Sequence, residues 1–246
     1  MIRLAGAFAL CMTAAAPVLG QAAAPAAPPQ ENQAAPRWPD GRLNLGSAPA
    51  RKGYWEIRPG LGGFPRAADV PFQPWARALH EYRTARTDLH PPLVRCQPAG
   101  GPSFFNAPGF EIVDVPDLEA VFILNIAGPH TWRVVHMDGR PHPETLRPTY
   151  LGHSIGRWEG DTLVIDSRGF NEQQWLAGPY PTTRQLHLTE RISRPSLRTL
   201  VYEATIDDPG AYTAPWSMTW TISETSKSSW IPDGEIFEFI CQDDGR

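Results

Sequence analysis

Glu190 is the residue whose placement says most about chemistry. In Gln185-Leu-His-Leu-Thr-Glu-Arg-Ile192 the alternate residues Leu186, Leu188 and Ile192 are apolar. Glu190 falls on their face by the two-residue period of a strand. A carboxylate on a core face is costly unless it is paired or used. The same surroundings perturb its pKa in the way that general acid–base chemistry needs. Two readings follow: a buried acid or base, or an ion pair with an inward arginine such as Arg133 or Arg157. His153, between Gly152 and Gly156, reads as a loop residue at a barrel mouth, placed to transfer a second proton. Arg133 or Arg157 would stabilise negative charge, and Tyr202 could orient a substrate.

Other histidines and acids offer less. His136 and His142 flank Asp138-Gly139, while His187 shares a strand with Glu190 but takes the opposite face. His136, His142 and His153 match no standard zinc spacing, so no metal is expected. Asp161 reads as a turn former. Asp166 and His142 count among the ligand-binding candidates. No Gly-x-Ser-x-Gly elbow, Walker loop or dinucleotide fingerprint occurs, so no organic cofactor is expected. Gly152-His-Ser-Ile-Gly156 comes near the elbow, but a β-hairpin follows where an elbow needs a helix.

These residues have to be positioned by strands. The chain of 246 residues has 27 Pro, 21 Gly and 9 Trp, with only 20% charged residues. That composition favours a turn-rich β protein. A formal charge of −4, with no basic stripe, argues against nucleic acid. Gly152 to Phe170 reads as the central hairpin, with Asp161 to Ser167 alternating as a half-buried strand around the turn Glu159-Gly160-Asp161. Further strands are expected at Phe110–Val115, Val121–Ile126, Thr131–Met137, Arg184–Ile192, Thr199–Asp207, Trp216–Ile222 and Glu235–Cys241. An arm after Arg37 ends in a first strand near Trp55, and Asp138-Gly139 reads as a hairpin turn. Pro74 to about Thr87 is the helix candidate, with Trp75, Leu79 and Tyr82 at near-helical spacing. The fold class is therefore mainly β: an antiparallel meander of eight to ten strands closing into a lipocalin-like β-barrel with one flanking helix. Its inner face would carry Trp216, Met218 and Trp220, with Trp158 as an anchor before the hairpin turn. These aromatics either line a ligand pocket or fill a packed core.

Met1 to about Ala22 reads as a secretory signal, with Arg3 before an apolar run too short to span a membrane. Residues 23–36 read as a disordered Ala/Pro linker and 37–246 as a single barrel domain. The product is expected to be periplasmic or secreted, without membrane insertion. Cys96 and Cys241 then remain as an even pair in an oxidising compartment, which reads as a disulfide.

The chain also resembles a family of exported bacterial proteins of uncharacterised function. The shared pattern includes Pro39-Asp-Gly-Arg42, Pro71-Phe-Gln-Pro-Trp-Ala76, Asp138-Gly-Arg-Pro-His-Pro143, Leu186-His-Leu-Thr-Glu-Arg191 and Thr205-Ile-Asp-Asp-Pro209. Its centre is Gly156-Arg-Trp-Glu-Gly-Asp-Thr-Leu-Val-Ile-Asp166. The resemblance covers roughly residues 37–243. It departs at Gly178-Pro-Tyr-Pro-Thr-Thr183, where the family has a Gly-x-Pro-His-Ser type sequence. It supplies no catalytic assignment.

The expectation is an exported enzyme, a cofactor-independent lyase or isomerase using acid–base residues in an aromatic-lined barrel pocket. The alternative is a non-catalytic, lipocalin-like protein holding the same small apolar or aromatic molecule. Nothing in the sequence fixes an oligomeric state.

Overall fold

The computed structural model describes residues 33–47, 53–57, 63–86, 89, 91–106, 109–125, 131–176, 178–225 and 241. The segment expected as a signal, most of the expected linker and all but the last residue of the strand expected at Glu235–Cys241 lie outside them. Nine strands close in sequence order into one barrel: β1 (Tyr54–Glu56), β2 (Phe110–Val115), β3 (Ala120–Asn125), β4 (Trp132–His136), β5 (His153–Glu159), β6 (Thr162–Arg168), β7 (His187–Ser196), β8 (Thr199–Asp207) and β9 (Trp216–Thr225). Closure runs through β1 and β9, with Trp55 opposite Glu224. The fold is mainly β and agrees with a lipocalin-like barrel.

One pair departs from the expected meander. β4 and β5 run parallel, with Val135 opposite Ser154 and His136 opposite Ile155. A closed ring of alternating strands needs an even number of them, so nine strands leave one parallel neighbour pair. Asp138-Gly139 is therefore not a hairpin turn, although Gly139 takes φ +74°. Residues 137–152 instead carry the chain back to the start of β5, the long crossover that a parallel pair requires. The loop is tied down where Thr149 N–H donates to Gly169 O at 3.0 Å and Asn171 N–H to Thr149 O at 2.7 Å.

Alternation sorts the faces. Leu163, Ile165, Leu188, Ile192, Leu200, Tyr202, Ile206, Trp220 and Ile222 are each at most 1% exposed and form the interior. Among the described residues two α-helices serve the barrel. α1 (Pro74–Ala85) starts on a proline, whose fixed φ suits a first helical position. Its buried residues are Ala76 and His80, whereas Trp75 and Tyr82 are 46% and 52% exposed. The helix thus turns a stripe inward beside the one its aromatics suggested. The short α2 (Ser103–Asn106) delivers Phe104 and Phe105 to the core. Phe105 packs edge-on to Phe110, with ring centroids at 4.9 Å, and at 4.5 Å from Tyr202. Cys96 and Cys241 form the expected disulfide, Cα–Cα 5.6 Å, across a separation of 145 residues.

Candidate functional site

Inside the barrel, five neighbouring strands converge on one ionic cluster. Arg133 (β4), Ser154 (β5), Ser167 (β6), Glu190 (β7) and Tyr202 (β8) all face inward and are 3% exposed or less. The guanidinium grips the carboxylate with two prongs, Nη1–H to Oε1 at 2.9 Å and Nη2–H to Oε2. Its Nε–H donates to Ser154 Oγ at 2.9 Å and an Nη2–H to Ser167 Oγ at 2.7 Å. The Tyr202 hydroxyl donates to Glu190 Oε1 at 2.8 Å. Burial opposes the charge on Arg133, but the carboxylate beside it raises the pKa above the ordinary arginine value. Burial, and then the Glu190 charge, push the Tyr202 hydroxyl well above the ordinary tyrosine range.

A hollow wide enough for water would leave its lining partly accessible. Glu190, Leu188, Tyr202 and Phe105 are all 0% exposed. Glu190 is thus buried as its strand position required, but held in an ion pair with Arg133 rather than at the edge of a cavity. Arg157 does not join it. That side chain is 63% exposed and pairs with Glu159 at 2.6 Å on the outer surface. Trp216, Met218 and Trp220 do face inward, at 7%, 5% and 1% exposure, against other aromatic rings and the apolar core. Trp158 is partly buried and lines a cleft near the β5–β6 turn with Arg42, Asp114 and Met137.

A second polar cluster lies on the outer surface of the same strands. Asp166 takes the face of β6 opposite Ile165, and His187 the face of β7 opposite Leu188. His187 Nε2 and Asp166 Oδ2 are 2.6 Å apart. His142, carried in by the crossover loop, sets Nε2 2.8 Å from Asp166 Oδ1. Its Nδ1 lies 2.9 Å from Nδ1 of His153. The His136 ring stacks on His153 with centroids 5.1 Å apart. His153 therefore opens β5 on the outer face instead of sitting in a loop at the mouth. Gly152 before it has φ +67°, and a Cβ there would meet Arg168 O at 2.7 Å.

The charge on Asp166 constrains the proton positions along this chain. Burial pushes the Asp166 carboxyl up, but hydrogen bonds from His187 and His142, with the charge of Arg168, outweigh it and hold it below the ordinary carboxylate value. An ionised carboxylate only accepts, so His142 and His187 both carry a proton on Nε2. A neutral His142 accepts on its second nitrogen from His153 Nδ1–H, and a protonated one donates to it. Burial, followed by the charges of His142, His136 and Arg140, keeps the His153 pKa below its ordinary value and favours the neutral ring. A neutral His187 would keep a lone pair on Nδ1, and a neutral His153 one on Nε2. Among the described residues no group of three or more His, Cys, Asp or Glu is arranged to hold a metal ion.

His187 also lines a cleft of about 380 Å³, walled by Leu146, Pro148 and Phe170 and flanked by Arg168 and Arg184. Periodicity put His187 on the face opposite Glu190, and the same alternation sets Asp166 opposite Leu163 and Ile165. Their meeting was thus within reach of the pattern once β6 and β7 were paired. No periodicity could bring in His142, which a loop delivers. Compared with known proteins, the chain matches no family model, no curated protein and no solved structure.

Proposed function

We propose that this chain is an exported enzyme that moves protons on a small, largely apolar molecule without an organic cofactor, in an elimination or an isomerisation. The observation that carries the reading is the imidazole–carboxylate–imidazole chain His187–Asp166–His142, with one end on a cleft of mixed apolar and basic lining. A carboxylate behind an imidazole fixes its tautomer and stabilises the imidazolium that forms when the ring takes a proton. His187 Nδ1 would remove a proton from a carbon next to an electron-withdrawing group, and the electron pair would move into that group. The imidazolium would return the proton to a neighbouring carbon in an isomerisation. In an elimination the electron pair would instead expel a leaving group, and the ring would later lose its proton to water. Glu190 keeps a structural role in this reading.

Export is supported by Arg3 ahead of the apolar run Leu4 to Leu19, and by the disulfide, since such bonds persist in oxidising compartments. The catalytic reading is tested by carbon hydrogen–deuterium exchange. Small aromatic and carboxylate carbon acids are incubated with the protein in D2O and followed by NMR. Catalysed exchange should be found with the wild type and lost in His187→Gln and Asp166→Asn. Exchange retained in both variants, or absent from the wild type, would overturn it.

A further inference from the structure

Resting on that reading of His187 as the base, we infer that the substrate of this cleft carries a carboxylate, gripped by Arg168 and Arg184 while its apolar part lies against Leu146, Pro148 and Phe170. Nine residues line the cleft, and two of them are Arg168 and Arg184, with no Asp or Glu among them. The chain as a whole is acidic, with a formal charge of −4, so a cationic cleft runs against the overall balance.

Neither arginine is consumed by a close ion pair. Arg168 Nε stands 3.5 Å from Asp166 Oδ1, and Arg184 Nε 3.5 Å from Glu172 Oε2. Their side chains are 52% and 69% exposed, which leaves donors on each guanidinium for an incoming anion. Two other surface arginines are engaged more tightly: Arg157 meets Glu159 at 2.6 Å and Arg191 meets the same carboxylate at 2.8 Å. A guanidinium matches a carboxylate in shape and bonds it with two parallel N–H donors. The third side of the site is apolar, with Phe170 at 1% exposure forming part of the floor. A volume of about 380 Å³ suits a small molecule, toward the lower end of ligand sites.

The placement also suits the chemistry. A carboxylate beside the reacting carbon acidifies its C–H bond only weakly, but a guanidinium on it offsets the negative charge that builds up as the proton leaves. Arg168 stands between the two tasks, since one of its Nη atoms lies 3.5 Å from His187 Nε2. Arg184 pairs with Glu172 outside the histidine chain and is the cleaner position to test.

The test is calorimetric titration of the protein with benzoate, and with neutral benzamide as its isostere, at low ionic strength. Benzoate should bind saturably at one site, about ten-fold or more tightly than benzamide. Arg184→Gln should remove that preference and leave benzamide unchanged. Arg168→Gln should do the same. His187→Gln should still bind benzoate with the preference intact. Equal binding of the two probes, no saturable benzoate binding, or unaltered preference in both arginine variants would overturn the inference. The two failures are separable. Arginine-dependent benzoate binding without any carbon exchange would sink the catalytic reading alone. Exchange that benzoate does not inhibit would sink the carboxylate alone.

Discussion

Replacing Glu190 by Gln preserves side-chain volume and removes one charge. What remains is the Arg133 guanidinium, 3% exposed, with two serine hydroxyls and a neutral amide around it. Both prongs of the ion pair are lost as charge-assisted bonds, and the Tyr202 hydroxyl faces a weaker acceptor. Removing one partner of a buried pair strands the other, at a cost of about 3–5 kcal/mol. For a domain of this size that corresponds to a Tm lower by about 6–20 °C. Urea unfolding should show a lower midpoint with an unchanged slope, since the surface exposed on unfolding is the same. The double variant Arg133→Met/Glu190→Leu should recover most of the loss, because an apolar pair of similar volume carries no uncompensated charge. Carbon exchange per folded molecule should be unchanged in Glu190→Gln. A variant as stable as the wild type to within about 1 kcal/mol, or one that folds normally and has lost exchange, would refute the structural assignment of Glu190.

Three further outcomes are expected. Reducing the Cys96–Cys241 bond, which spans 145 residues, should lower stability by about 2–4 kcal/mol, read as a shift of the urea midpoint between oxidised protein and protein kept in reductant. Stability should rise with pH across the histidine range. His153 and His136 have folded pKa values below the ordinary one, burial being the first cause for each, so the unfolded chain binds more protons just below about pH 6.5. Asp166, held below its ordinary value, acts in the same direction lower down, its contribution being lost as pH falls through its folded value. Urea midpoints that stay level or decline between acid and neutral pH would contradict this. Gly152→Ala should cost about 1–3 kcal/mol, because φ is +67° and the new Cβ meets Arg168 O at 2.7 Å. The His153 and His142 ring signals should move in its NMR spectrum, while those of Tyr202 stay in place.

The strands that periodicity placed best are those with clean alternation. Phe110–Val115 and Thr199–Asp207 coincide with β2 and β8 end to end. The inward direction of Glu190 followed from the same rule, applied against the chemical preference of the residue. Its partner was narrowed to Arg133 or Arg157 but not chosen between them, because Arg133 lies 57 residues away and reaches it only when four strands are wrapped side by side. The Asp138-Gly139 signal was local and ambiguous. A positive-φ glycine can close a hairpin or begin a long crossover, and strand count around the ring decides which. The histidine chain was half legible: Asp166 and His187 stand on faces that alternation assigns, whereas His142 arrives by a loop and His153 was taken for one. The disulfide needed only arithmetic, since two cysteines remain once Cys11 is set aside with the expected signal.

The account rests most heavily on one carboxylate receiving two imidazole protons, and a long-range 1H–15N spectrum of the histidine rings reads that arrangement directly. At neutral pH the rings of His142 and His187 should both carry their proton on Nε2, and His153 on Nδ1. In Asp166→Asn the amide NH2 and C=O cannot accept from both rings, so one of the two should change tautomer. Finding either ring of the wild type protonated only on Nδ1, or finding no tautomer change in Asp166→Asn, would contradict the chain on which the proposed chemistry depends.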